Sequence, residues 1–479
     1  MPNSRIEIKL GQPWKGQIMK KLHLVPNEQN ITQTFCSDAI GRNSDVICFC
    51  NLISTCEECF SIALDGKWGS GKTFFIKQVK LLLDYLNEHT KINEDCSNKL
   101  DVYFSSNPTF GEILSSSPSH ATIYYDAWEN DNDVDPILSL IYVAISTCQS
   151  ELDVAKMRNF RDIAGSIATL LTGRNVTSFL NNLQGENPLK QLKNDKSVAK
   201  LMNDFIENLI VEHGDRLVIF IDELDRCNPN FAVKLLERIK HFLTDDRVTF
   251  VFSVNIEQLQ HTIKKYYGAD FCASRYLEKF FDKRVPLLNA NYSKYYQSIG
   301  FVKSNCIYDQ MCNLVITHFD FQIREKIKFL HETRTVVDTS VFIRFSFHEE
   351  NAESFCLIYI VPIILGLQIY DITLYTNCIE GRNYFEFTEI LIKYQDSFSE
   401  ILWLLSKGET FSNEKAINTN IKLINLKERL IEVYNALFVN QYNRRNPKTL
   451  IGEMEFNAET KKKLLEFSSI FSPYSILNL

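Results

Sequence analysis

Three short stretches have the residue types and spacing for phosphate chemistry. Gly66-Lys67-Trp68-Gly69-Ser70-Gly71-Lys72-Thr73 fits the pattern G-x-x-x-x-G-K-[ST]. In that pattern Gly66, Gly69 and Gly71 let the backbone N–H groups of the loop, those of Lys67, Trp68 and Ser70 included, turn inward around phosphate oxygens. The helix that follows adds the positive end of its dipole. Lys72 then supplies a point charge for the β- and γ-phosphates, and the Thr73 hydroxyl a ligand for Mg²⁺. Asp222 ends the apolar run Leu217–Ile221, where a carboxylate holds Mg²⁺ directly or through water. Glu223 follows it and is placed to take a proton from an attacking water, or else is a solvated or ion-paired strand-end residue. Asn255 ends Val248–Val254 and should lie beside Asp222. There it orients the water or senses the γ-phosphate, caps the helix that begins at Ile256, or does both. Asp225 and Arg226 read as a structural ion pair that fixes the loop between them.

These residues need elements to hold them. Ser61–Leu64 reads as a strand, the glycine loop follows, and Phe74–Leu86 carries apolar residues at helical spacing. Ala121–Tyr125 reads as a second strand and Pro136–Ile145 as a helix with proline in its first turn. Leu217–Ile221 is an unbroken apolar run, the signature of a strand covered on both faces. A helix then begins at Asn228-Pro229, followed by the strand Val248–Val254, a helix to about Tyr267 and a short strand around Arg284–Leu288. Such alternation predicts an α/β fold: a parallel sheet with flanking helices and right-handed crossovers. Beyond about Asn289 the strand signal fades, and Ile323–Leu330, Phe385–Leu405 and Ile421–Phe438 read as helices of an all-α C-terminal domain. The expected division is a lead-in at 1–39, the α/β domain at 40–288 with polar insertions near 87–119 and 173–197, and the helical domain at 289–479.

Composition narrows the classes. The 479 residues are 45% hydrophobic and 23% charged, as in a globular chain, and the net charge of −7 gives no electrostatic footprint for nucleic acid. Thirteen cysteines, an odd number, point to a reducing cytosol rather than a disulfide framework. The N-terminus has no apolar signal-peptide core. Phe355–Leu367 is uncharged but shorter than the roughly 20 residues of a spanning helix, and it contains Pro362, so it reads as buried core. Cys48, Cys50, Cys56 and Cys59 have no histidine near them and read as helix and loop residues rather than a zinc knuckle. The acidic cluster from Glu129 to Asp133 reads as a solvated loop. Asn98-Lys99-Leu100-Asp101 matches the string by which many GTPases read guanine. It lies well before Asp222 rather than after it, so ATP is the expected nucleotide.

The set of motifs resembles the KAP family of P-loop NTPases. The residues that carry the resemblance are Asp65–Thr73, Tyr125-Asp126-Ala127-Trp128 and Ile221-Asp222-Glu223-Leu224-Asp225-Arg226-Cys227, joined by Ile40-Gly41-Arg42, Tyr276–Phe281 and Arg324–Lys328. The similarity runs from about Ile40 to Leu330. It implies an ATPase of the additional-strand type with a helical extension, used as a molecular switch, in a family whose bacterial members are often linked to phage defence. Many members insert a transmembrane hairpin before the second acidic motif, whereas 173–197 is polar here. Glu223 and Asn255 also stand where many relatives have Asp. The resemblance further implies that Arg324, at the start of a helix beyond the sheet, can reach back to the γ-phosphate, or else pairs with Glu325, Asp320 or a helix end.

The expected function is therefore Mg²⁺-dependent binding and hydrolysis of ATP by a cytoplasmic switch. The switch would control its own assembly as a homo-oligomer or a partner protein of the same system, without stable membrane insertion. The alternative is a scaffold that binds ATP with little or no hydrolysis.

Overall fold

The computed structural model describes residues 25–115, 118–133, 135–148, 162–167, 169, 195–242, 245–288, 307–342, 351–393, 405 and 419–468. The chain divides into two compact units, one of them Leu24–Gly300 and the other containing Phe301–Leu479. Of the expected segments, 1–24 of the lead-in, 173–194 of the second insertion and the start of the C-terminal domain at 289–306 lie outside the described residues.

The first unit opens with α1 (Glu28–Cys36) and α2 (Asn43–Ser54), then β1 (Phe60–Asp65) and α3 (Lys72–Leu86). The polar stretch after α3 folds as α4 (Glu94–Ser106) and α5 (Pro108–Ser115). Leu100 of α4 is buried, and Tyr85 stacks on Phe104 at 5.5 Å between ring centroids. Next come β2 (His120–Asp126), α6 (Pro136–Cys148), α7 (Asp195–His213) and β3 (Arg216–Asp222). A single 3₁₀ turn (Leu224–Arg226) leads to α8 (Pro229–Phe242), β4 (Val248–Val254), α9 (Ile256–Tyr267), α10 (Ala273–Leu277) and β5 (Lys283–Pro286). Among the described residues the five strands form one sheet in the order β2-β3-β4-β1-β5, and every pairing is parallel.

The unbroken apolar runs are explained by burial on both faces. Leu217, Ile219 and Ile221 of β3 join the core that α6 to α10 cover, while Val218 and Phe220 point to the opposite core under α1 to α5. The strand β4 divides in the same way, with Phe250 and Phe252 on one side and Val251 on the other. Because β4 sits between β1 and β3, the ends of β1, β4 and β3 lie side by side at one edge of the sheet. Asp222 stands opposite Ser253 there, and Asp65 opposite Val254.

The second unit contains α11 (Ile307–His318), α12 (Ile323–Phe342), α13 (Ala352–Tyr370), α14 (Ile372–Ile379), α15 (Phe385–Lys393), α16 (Thr419–Tyr434) and α17 (Ala458–Ser468). The expected helix Phe385–Leu405 is observed as α15 up to Lys393, and 394–404 lie outside the described residues. By length and composition α13 could cross a membrane, yet 83% of its apolar window is buried inside the structure. It packs on α11, α12, α14 and α17. Its π turn at Cys356–Ile360 comes directly before Pro362, where a proline ring and its missing N–H would otherwise break a regular α ladder. A Cβ on Gly366 would collide with Val315 Cγ1 of α11, so this crossing requires glycine. One feature departs from an all-α domain: β6 (Lys448–Ile451) and β7 (Met454–Asn457) form an antiparallel hairpin. Its two-residue loop starts at Gly452 with φ +62°, the left-handed first position that a type II′ turn requires.

Candidate functional site

The phosphate loop is tied to the sheet at its first residue, where the Gly66 N–H donates to the Val254 carbonyl at 3.1 Å. Gly69 and Gly71 have φ of +77° and +90°, left-handed values that let successive N–H groups point the same way. Gly71 caps α3, which starts at Lys72. The Lys72 ammonium is buried and folds back on the loop, donating to the Gly66 carbonyl at 2.6 Å and the Lys67 carbonyl at 3.2 Å. Burial pulls its pKa below the usual lysine range, while Asp225 and Asp222 push the other way. Ser70 Oγ is buried with no hydrogen-bond partner. A glycine loop with two left-handed turns, a buried ammonium held by carbonyl oxygens and an unpartnered hydroxyl together suit an incoming phosphate chain.

Across from the loop, Asp222 is 1% exposed. Its Oδ2 accepts from the Tyr124 hydroxyl at 2.9 Å, and its Oδ1 accepts from the Glu223 N–H at 3.0 Å. Tyr124 points along the same face of β2 as Asp126, which lies opposite Asp222. Burial, reinforced by Asp222, holds its hydroxyl protonated well above the tyrosine range. Alternation along β2 was the available signal for Tyr124, which sequence reasoning passed over. Thr73 and Asp222 are the residues of this edge that would hold Mg²⁺.

Glu223 adopts φ +58° and ψ +25°, a left-handed conformation that is sterically costly for a side chain with a Cβ. The turn aims its carboxylate at Arg226, with Oε2 at 3.0 Å from Nη1. Burial raises the Glu223 pKa above the glutamate range, Arg226 lowers it and Asp222 raises it again. The expected ion pair between Asp225 and Arg226 is therefore not the one formed among the described residues. Neighbours in a 3₁₀ turn do not face each other, whereas residues three apart eclipse, so Arg226 meets Glu223. Asp225 is buried and accepts instead from Trp68 Nε1 at 2.5 Å, which ties the acid turn to the phosphate loop. Arg226 also lies within cation–π distance of two indoles, 5.7 Å from the Trp68 ring and 5.2 Å from the Trp128 ring.

Asn255 is buried at the end of β4, and its Oδ1 accepts from the Gln258 N–H at 3.3 Å, so it caps α9. Beside it Ser253 Oγ is buried with no partner. Arg324 belongs to the second unit, exposed in the first turn of α12. Among the described residues it pairs with neither Glu325 nor Asp320, and Glu325 accepts instead from the Gln322 N–H at 2.7 Å. In the guanine-like string, Lys99 pairs with Asp95 at 2.6 Å and Asp101 accepts from the Tyr85 hydroxyl at 2.6 Å, both on the surface of α4. Among the described residues no group of three histidine, cysteine or acidic side chains is arranged to hold a metal.

A model of the KAP family P-loop domain matches residues 42–298, more than half of the chain. No curated protein sequence matches it. Among solved structures, that of the Aeropyrum pernix ORC2 protein (ADPNP-ADP complexes) is 11% identical and covers 87% of this chain and 97% of that chain. Its TM-score of 0.29 is too low to carry a structural argument.

Proposed function

Because the chain belongs to the KAP family of P-loop domains, we propose that it binds ATP with Mg²⁺ and hydrolyses it as a molecular switch. One observation carries this reading: a buried lysine in a glycine loop and a buried aspartate followed by a half-buried glutamate come together at the edge that β1, β4 and β3 share. In the proposed reaction the loop N–H groups and Lys72 grip the β- and γ-phosphates, and Thr73 and Asp222 hold Mg²⁺, which neutralises phosphate charge when bound. The water oxygen bonds to the γ-phosphorus, the bond from that phosphorus to the bridging oxygen breaks, and Glu223 takes the water proton. Asn255, just past the end of the strand between loop and acid, is the proposed partner of that water. The switch output is control of assembly or of a partner protein, and phage defence is the setting that the family suggests.

The scaffold reading has its own support, since Glu223 is engaged by Arg226 rather than free to face a water. Calorimetry with Mg·ATP and phosphate release decide between the two. Wild type that binds and releases phosphate, with binding lost in Lys72→Ala, supports the switch, and binding without release supports the scaffold.

Arg324 is proposed as the contact by which the second unit reads the γ-phosphate. Its exposure and the commitment of Glu325 to the Gln322 N–H support the role. Protease protection of 289–479 should then differ between an ATP analogue and ADP, and the difference should vanish in Arg324→Ala.

A further inference from the structure

The Trp68–Arg226–Trp128 stack joins two parts of the site that the proposed chemistry treats separately. Trp68 belongs to the phosphate loop and follows Gly66 and Lys67, whose carbonyls hold the Lys72 ammonium. Its indole is fixed by the Asp225 carboxylate and lies within cation–π distance of the Arg226 guanidinium. Trp128, from the turn after β2, places a second indole within cation–π distance of that guanidinium, at 5.2 Å. The same guanidinium holds the Glu223 carboxylate at 3.0 Å. Both indoles keep one side in solvent, Trp68 at 46% and Trp128 at 50% exposure, so the stack has room to open.

We propose that Arg226 is a positioning residue that clamps Glu223 while the phosphate loop is empty and lets it go when the loop fills. The sequence of contacts supplies the linkage. The Lys72 ammonium has three N–H donors, so once two of them serve the β- and γ-phosphates at most one is left for the Gly66 and Lys67 carbonyls, and phosphate binding loosens the backbone on which Trp68 sits. Trp68 then shifts, Arg226 loses one wall of its stack, and its bond to Glu223 weakens. The proton acceptor is thus kept engaged until there is a γ-phosphate for the water to attack. This deepens the proposed function and rests on Glu223 as the base. The linkage runs through a chain of touching groups, the kind of physical network that carries coupling between two parts of a site.

The test uses the full-length chain with Trp14 and Trp403 replaced by Phe in every arm, so that emission reports Trp68 and Trp128 alone. A non-hydrolysable ATP analogue should change the emission of this background. In Arg226→Ala the analogue should bind with similar affinity by calorimetry, but the emission change should shrink to the part that Trp68 makes on its own. Steady-state phosphate release in Arg226→Ala should show kcat raised about fivefold at unchanged KM, the effect of removing one partly exposed ion pair. Arg226→Lys, which keeps the charge without the planar stack, should fall between. An emission change of undiminished size in Arg226→Ala, or a kcat that drops at unchanged KM, overturns the clamp. Should Arg226→Ala fail to fold, Trp128→Phe leaves the ion pair in place, and the Trp68 emission must still respond to the analogue. If Glu223→Gln hydrolyses ATP as wild type does, the base assignment fails, while the emission arm still decides whether loop and Arg226 are coupled.

Discussion

The loop edge of the sheet and the middle of α13 are both buried, for different reasons. At the sheet edge Lys72, Asp222 and Asp225 are 8%, 1% and 5% exposed. Three ionisable groups are withdrawn from water there, each at a desolvation cost that its hydrogen bonds only partly offset. Along α13 every residue from Phe355 to Leu367 is buried and none is charged. Burial of that kind is favourable in itself, at about 25 cal/mol per Å² of apolar surface. The first region gives up stability to hold charge where a phosphate can meet it, and the second supplies stability alone. Substitutions should therefore act on chemistry in the first region and on folding in the second.

The largest expected effect is on chemistry. Glu223→Gln should keep ATP bound and lower phosphate release by on the order of 10²–10⁴, because an amide cannot take the water proton. Its thermal midpoint should stay near wild type, since the change removes a strained residue's charge and not its packing. Unchanged release would move the base elsewhere and would break the comparison on its chemical side.

The C-terminal unit should respond in the opposite sense. Gly366→Ala places a methyl group against Val315 Cγ1, and valine is stiff at χ1, so the helices must separate. Overpacking of this kind costs about 1–3 kcal/mol, part of which the better helix propensity of alanine returns. Thermal melts and hydrogen exchange along α11 and α13 are the measurements. A variant as stable as wild type would mean that the crossing is not held by close packing.

His120 sharpens the comparison from the other end of the sheet. It is 2% exposed at the start of β2, with Nε2 unpartnered. Burial, and then Arg216, lower its pKa from 6.5 to about 4, with a hydrogen bond to the Pro118 backbone and then Asp215 acting against them. The folded chain thus binds this proton less readily than the unfolded one. Stability should be full above pH 6.5 and fall as the pH drops toward 4. The full loss is roughly 3 kcal/mol as an upper bound, since each tenfold drop in proton affinity on folding is worth about 1.4 kcal/mol. Urea melts between those pH values should show the slope, and His120→Phe should flatten it.

Much of the sheet unit was legible because a buried strand, a glycine loop and an amphipathic helix each leave a local pattern. Leu217–Ile221 is apolar without a break because both of its faces are covered, and the reading required nothing distant. Partner choice was less legible. Arg226 selects Glu223 over Asp225 because a 3₁₀ turn places residues three apart together, and the left-handed φ of Glu223 depends on Ser253 and Asp222 around its N–H. The β6–β7 hairpin was hidden for another reason. Its strands have four residues each, too few for alternation to stand out against the helices on either side.

The smallest expected effect concerns the guanine-like string, where the comparison predicts silence. Asn98-Lys99-Leu100-Asp101 lies within α4, so its side chains follow helical spacing rather than converging on one base. Lys99 faces solvent and meets Asp95 one turn away at 2.6 Å, a surface pair of the kind that contributes little. Asp101 is engaged by the Tyr85 hydroxyl, and Leu100 is the member that the core holds. Lys99→Ala should therefore leave the ratio of ATP to GTP affinity unchanged, as well as phosphate release and the thermal midpoint. Competition of unlabelled ATP and GTP against a fluorescent nucleotide is the measurement. A shift of the ratio toward ATP in Lys99→Ala would show that this helix reads the base, and a surface pair would then belong with the buried charges of the sheet edge as part of the site.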